Sequence, residues 1–381
     1  MAGEPKVRVL HLVTRMNVGG VAVLIDNLLE NINSSKFETL LVTGRCEAPE
    51  GDYLDGKNPS YRLLRLRQFH KSLSISDDIS SLLTLIKIVR EFKPNIIHTH
   101  TSKAGVFGRT IIKLVAPKTK VVHTFHGHLL IGYFNPLKLF IVKLVEKFLG
   151  MLSDSLVAMG TQVRDDLVAA GIAPRKKFSV FFPGLEMPKF PDRSLAKSAL
   201  GVDQNSLHST FVGRLTKIKR PDRLLEVARI VSQKNPNIKF LVVGDGDLAA
   251  EMKQTAFNER LPIEFLGWRS DIPAVLSASD ILILTSDNEA VALTLIEASQ
   301  AGVPIVTTPA GSVRDIAVDG ENGFVTDFDA LSIAAGVLKL ADNPDLRRKM
   351  GEAGQKRAKV LFSISHMVES HESLYQELLN R

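Results

Sequence analysis

Short apolar runs alternate along this chain with stretches in which apolar residues recur every three or four positions. Runs at 6–13, 39–42, 95–98, 120–124, 155–158 and 179–181 read as buried strands. Between them, Val21, Leu24, Ile25, Leu28 and Leu29 mark one face of a helix, and helical spacing returns at 82–90, 105–114 and 136–152. The pattern breaks at Phe182-Pro183-Gly184 and at Pro188 and Pro191, then starts again. Strands follow at 210–212, 239–243, 263–266, 281–284 and 303–307, with helices at 220–233, 248–259, 272–277 and 293–301. This alternation predicts the α/β class, with parallel strands and crossover helices on both faces. Two such doubly wound units facing each other would place a ligand cleft at the carboxyl ends of both sheets.

Composition adds bounds. A length of 381 residues favours two domains, and an apolar fraction of 45% is enough for both cores. The sole cysteine, Cys46, excludes an intrachain disulfide and a cysteine-based zinc site, and fits a reducing, cytoplasmic setting. The run from Val7 to Val13 is interrupted by Arg8 and His11 and is too short for a signal-peptide core. No stretch offers the roughly 20 apolar residues of a membrane span, so a soluble protein is expected. Charge is uneven: residues 1–185 carry a balance of +10 and residues 186–381 one of −3. A basic first half invites an anionic partner, against the alternative of ordinary solvated charge.

The candidate chemistry lies at strand ends. In TSDNEAVALTLIEASQAG (285–302), Glu289 and Glu297 are eight residues apart, roughly 12 Å on a continuous helix. No small group bridges that span; an extended ligand with hydroxyls at both ends does, unless the two are simply solvated glutamates. The helix start at Leu293, Thr294 and Leu295 offers free N–H groups to a diphosphate. Gly213-Arg214 and Lys219 join a strand to a helix; Arg supplies a fork and Lys a point charge for phosphate. Gly244 ends a buried strand, and Asp245 with Asp247 sits in a glycine turn without further metal ligands nearby. His98, His100, His123, His126 and His128 cluster because strands end together, and their spacing is not that of a helical metal pair. Gly19-Gly20 lacks the third glycine of a dinucleotide fingerprint, but lets backbone approach a phosphate or sugar.

In order and spacing these motifs resemble the retaining glycosyltransferase family four, the group 1 glycosyltransferases of GT-B fold. The resemblance runs through Gly19-Gly20, HTHTSKAGVFGR (98–109), VVHTFHGH (121–128), FVGRLTKIKRPDRLLEVA (211–228), LVVGDGDL (241–248), FLGWRSDI (265–272), the Glu289–Glu297 stretch and a tail of the type Phe362 to Tyr375. It implies an acceptor-binding Rossmann-like domain at 1–184, a donor-binding one at 185–361, and a last helix at about 362–381 that packs back on the first. By the same resemblance Arg214 and Lys219 hold the donor diphosphate, Glu297 the ribose and Glu289 the transferred sugar. His126 lies beside the reaction centre, and Gly19 and Gly20 close over the donor. Gly267, Trp268 and Arg269 hold the base, largely through backbone.

The chain departs from the family on either side of Val291 in the donor-binding stretch, with Ala290 in place of the usual glycine and Ala292 in place of the usual glycine or proline, and at Gly311-Ser312-Val313-Arg314-Asp315. Extra methyls there would change which sugar fits. The resemblance implies retaining transfer from a nucleotide sugar, a UDP-sugar foremost, with no obligatory metal or other cofactor. The expected acceptor is a glycan or lipid-linked glycan of cell-surface polysaccharide or glycolipid. The helix at 136–152, with Lys138, Lys143 and Lys147 among apolar residues, is either a crossover helix with solvated lysines or a dock for an anionic membrane surface. Nucleic acid is not an expected partner, since aromatics are only 6% and no motif for it is present. The competing readings are an epimerase or phosphorylase of the same fold, or a non-catalytic nucleotide-sugar-binding protein.

Overall fold

The computed structural model describes residues 5–48, 50–127 and 135–381. His128 lies outside them. The chain divides into two compact units: Met1–Gly184 with Ile364–Arg381, and Leu185–Ser363.

The first unit holds strands β1 (Val7–Val13), β2 (Phe37–Thr43), β3 (Arg62–Arg65), β4 (Ile96–His100), β5 (Lys120–Phe125), β6 (Ser155–Ala158) and β7 (Phe178–Val180). They form one parallel sheet in the order β3-β2-β1-β4-β5-β6-β7. The β4 and β6 side chains are all buried, as expected of strands covered by helices on both faces. The early helices are α1 (Gly20–Asn31), α2 (Ile75–Phe92), α3 (Ser102–Val115), α4 (Pro136–Leu152) and α5 (Thr161–Ala169).

The second unit holds β8 (Leu207–Val212), β9 (Ile238–Val243), β10 (Ile263–Gly267), β11 (Ile281–Leu284), β12 (Ile305–Thr307) and β13 (Gly323–Val325), again parallel, in the order β10-β9-β8-β11-β12-β13. Its helices are α6 (Arg193–Leu200), α7 (Pro221–Lys234), α8 (Ala249–Asn258), α9 (Ile272–Ala278), α10 (Leu293–Ala301), α11 (Ala330–Ala341) and α12 (Pro344–Leu361). The last helix, α13 (Ile364–Asn380), belongs to the first unit. Its Leu374, Tyr375 and Leu378 pack with Val9, Ile96, Val122 and Val157 of four strands.

Strand order reverses beside β1 in the first sheet and beside β8 in the second. At such a switch point neighbouring connections leave on opposite faces, and the loops after the strands open a crevice. The residues with candidate chemistry follow these strand ends.

Candidate functional site

In the second unit the loops after β8, β9 and β10 are stitched together through glycine backbone. Gly213 N–H donates to Val243 C=O at 2.9 Å, and Gly244 N–H to Gly267 C=O at 2.8 Å. Gly244 takes φ 134°, and a Cβ there would lie 2.0 Å from Gly213 O, so any side chain would force these loops apart.

Lys219 and Glu289 meet in this region. Lys219 Nζ lies 2.5 Å from Glu289 Oε1, and Ser286 Oγ donates to the same oxygen at 2.6 Å. Glu289 is buried, yet its Oε2 carries no hydrogen bond among the described residues and remains an acceptor for ligand hydroxyls. The pair is braced from behind. Thr285 Oγ1 donates to Lys219 C=O at 2.9 Å, and Thr308 Oγ1 to Ser286 C=O at 2.6 Å. Arg223 donates to Thr285 C=O and, at 2.8 Å, to Asp287, which also pairs with Arg220. Gly311 passes so close that a Cβ would lie 1.8 Å from Glu289 O. Ser286, Asp287, Arg223 and Thr308 carry no sequence signal for this role; only the fold brings them here.

Arg214 is exposed, and its guanidinium has no partner among the described residues. It is therefore a cation available to an anion. Helix α10 follows Ala292, which provides no side-chain cap, and has no acidic residue in its first turn. Leu295 N–H is already taken by Ala292 C=O at 2.9 Å, which leaves Leu293 and Thr294 as the open donors. The Ala292 and Leu295 side chains are buried, whereas Ala290, Val291, Leu293 and Thr294 are half-buried. Trp268 is 73% exposed beside Gly267, and Arg269 is paired with Asp271 at 2.6 Å.

Glu297, one helix turn into α10, is half-buried, and burial pushes its carboxyl from 4.5 up to about 7. Because the folded pKa is raised, this group stabilises most below the unfolded value and loses that contribution as pH rises through the folded one. Glu297→Gln is thus expected to match wild type at about pH 4 and to be more stable at about pH 8, by on the order of 1–3 kcal/mol. Melting temperatures at the two pH values check this; an equal difference at both would contradict it.

In the first unit, Gly19 precedes α1 and Gly20 opens it, again without a side-chain cap. His126 follows β5. Its Nε2 lies 2.9 Å from His100 Nδ1, and burial of the ring lowers its pKa to about 3. His11, His98 and His100 bring ring nitrogens within 4.8 Å of one another, the spacing of a possible metal group. His98, however, spends both nitrogens, on Tyr375 Oη at 2.6 Å and Thr124 Oγ1 at 2.7 Å. His100 likewise meets His11 with Nε2 and His126 with Nδ1, so of these three rings only His11 Nε2 lacks a partner among the described residues. A separate cavity of about 380 Å³, lined by Lys217, Arg220, Glu251 and Asp287, does not include Arg214, Glu289 or Glu297.

Residues 192–357 match the family model described as Glycosyl transferases group 1, and residues 18–187 match the one described as Glycosyltransferase Family 4. The chain is 27% identical to the UDP-Gal:alpha-D-GlcNAc-diphosphoundecaprenol alpha-1,3-galactosyltransferase of Escherichia coli, over 98% of each chain. It is 24% identical to the capsular polysaccharide biosynthesis glycosyltransferase CapM of Staphylococcus aureus, over 98% of this chain and 97% of that one. Among solved structures it resembles Anabaena HepE in complex with UDP, with a TM-score of 0.80, 18% identity and coverage of 97% and 100%. That likeness shows the fold, GT-B, with one parallel sheet in each unit.

Proposed function

Because the chain belongs to the group 1 glycosyltransferases of family four, we propose that it moves a sugar from a UDP-sugar to a lipid-linked or polysaccharide glycan, with retention and without an obligatory metal. The observation that carries this reading is the braced Lys219–Glu289 pair with Arg214 unpaired in the same strand-end region. In the reaction the bond from the sugar anomeric carbon to the β-phosphate oxygen breaks, and its electron pair leaves with UDP. A bond to the acceptor oxygen forms on the same face, and the acceptor proton passes to the departing phosphate. Arg214, Lys219 and the Leu293 and Thr294 N–H groups meet the growing phosphate charge. Glu289 Oε2 accepts from sugar hydroxyls, and Glu297 takes the ribose, Gly267 to Arg269 the base. By the resemblance His126 stands beside the transferred sugar, and Gly19 and Gly20 cover it. The relatives' printed activities support the donor and acceptor classes, since the galactosyltransferase uses UDP-Gal and a diphosphoundecaprenol acceptor.

A panel of UDP-, GDP- and ADP-sugars in thermal-shift assays is expected to give its largest shift with a UDP-sugar. Turnover with a polyprenyl-diphosphate sugar acceptor should then yield a product of unchanged anomeric configuration, insensitive to chelator. No shift with any nucleotide would overturn the reading.

Helix α4 supports a membrane-bound acceptor, at the cytoplasmic face. No described helix is long and apolar enough to cross a membrane. At about 100° per residue, Leu137, Phe140, Ile141, Leu144, Phe148 and Met151 share one arc, and all are exposed, Phe140 at 59% and Met151 at 65%. Lys138 flanks the arc on one side, and Lys143 and Lys147 on the other. The side turned inward instead carries Glu146, Leu149 and Gly150. A surface helix normally buries its apolar stripe; this one presents it outward between lysines, as an interfacial helix does. Replacing Leu144 and Phe148 by glutamate is expected to weaken binding to anionic vesicles at least about tenfold. Equal co-sedimentation of the variant would contradict membrane docking through this helix.

A further inference from the structure

Three histidines of the first unit form a hydrogen-bonded series whose two ends are linked by proton bookkeeping. His11 lies on β1, His100 ends β4 and His126 follows β5. His11 Nδ1 is 3.1 Å from His100 Nε2, and His100 Nδ1 is 2.9 Å from His126 Nε2. The outer nitrogens, His11 Nε2 and His126 Nδ1, are buried and have no partner among the described residues. The register of the sheet makes the series possible, because β1 lies beside β4 and β4 beside β5.

A neutral imidazole has one N–H and one acceptor nitrogen. Burial keeps these rings neutral: His11 and His126 are each lowered to about 3, and His100 falls well below its usual value, burial being the largest cause in all three. Each inner contact needs one donor and one acceptor. If His11 donates from Nδ1, His100 accepts at Nε2, donates from Nδ1, and leaves His126 protonated on Nδ1. The reverse sense puts all three protons on Nε2. No mixed set satisfies both contacts, so the three rings share one tautomer.

The two senses differ at the ends. With all protons on Nε2, an N–H is trapped unbonded at His11, which has no solvent exposure. With all protons on Nδ1, a lone pair is left at His11, and the unbonded N–H lies at His126 Nδ1, on a half-buried residue next to exposed Gly127, where a ligand oxygen can approach. An N–H that a bound ligand can satisfy costs less than one sealed at His11, which favours the Nδ1–H sense. We propose that His11 and His100 are positioning residues that hold His126 as the Nδ1–H tautomer, so that it meets a substrate oxygen as a hydrogen-bond donor and not as a base. The placement of that oxygen on the transferred sugar rests on the function proposed above; the shared tautomer does not.

Long-range proton–nitrogen correlation spectra of the full-length protein labelled with 15N-histidine read each ring's tautomer directly. Nδ1–H at His11, His100 and His126 is the expected result. An Nε2–H form at any one of them overturns the proposal, as would the nitrogen shifts of a metal-bound ring. His100→Phe interrupts the series, and is expected to release His126 to a mixture of tautomers and to lower kcat about tenfold with little change in donor KM. His100→Gln can accept from His11 and donate to His126, and is expected to keep the His126 tautomer and most of the turnover. Wild-type turnover and an unchanged His126 tautomer in His100→Phe would also overturn it. If the tautomers agree but His126→Ala is fully active, the series stands and the placement of His126 at the sugar fails.

Discussion

Lys219→Ala is expected to lower turnover at saturating donor by about a hundred- to a thousandfold, on the order of 3 kcal/mol of transition-state stabilisation. The ammonium is fixed in place before any ligand arrives, because Glu289 holds it at 2.5 Å and Thr285 holds its backbone. Little reorganisation is left for the moment when phosphate charge develops. The substitution also leaves the buried Glu289 carboxylate with Ser286 as its side-chain partner, so a fall in stability should accompany the fall in rate. The two effects separate in the double variant. Adding Glu289→Gln removes the stranded charge and should recover stability, while turnover stays low. Chemical denaturation and single-turnover kinetics on wild type, Lys219→Ala, Glu289→Gln and the double variant measure both. Wild-type turnover in Lys219→Ala would remove this lysine from the reaction.

Glu146→Ala should destabilise the first unit by about 3–5 kcal/mol, because it strands a buried guanidinium. Arg109 Nη2 and Glu146 Oε2 are 2.9 Å apart with side chains 0% and 4% exposed, and the pair ties α3 to the inner side of α4. Burial raises the Glu146 pKa, and Arg109 only partly offsets this. The pair is therefore no gain over apolar packing in itself. Replacing both partners, Arg109→Met with Glu146→Leu, should restore most of the loss. Urea unfolding of the single and double variants tests this, and an additive loss in the double would contradict it. The pair explains how α4 stays attached while its apolar arc points away. One charged contact, with Leu149 and the close approach of Gly150 to Ile172 O, substitutes for the usual buried stripe.

Hydrophobic periodicity made the central strands legible, because a strand covered on both faces must be apolar throughout. It missed β3, whose Arg62, Leu63, Leu64 and Arg65 alternate between exposed and half-buried at the sheet edge, and β13, only three residues long. Helix α2 begins at Ile75, well before the periodic stretch at 82–90. Its first turns leave Ile75 and Ile79 exposed, so no buried stripe marks them. The glycine loops and the uncapped start of α10 could be placed from local sequence, since backbone conformation and capping are local matters. The Lys219–Glu289 contact could not, because it joins residues 70 positions apart. For the same reason His11 is only an interruption in an apolar run until β1 is set beside β4, where it lies opposite His98.

The placement of α13 also sets an order of events during synthesis. The ribosome delivers the seven strands of the first unit early, but Leu374, Tyr375 and Leu378 must cover Val9, Ile96 and Val122 before that unit's core is complete. Domains commonly fold as they emerge. Here the second unit, contiguous from Leu185 to Ser363, can close as soon as it clears the exit tunnel. The unit that is begun first is completed after the second, and a chain stalled short of α13 leaves apolar sheet open to chaperones and proteases.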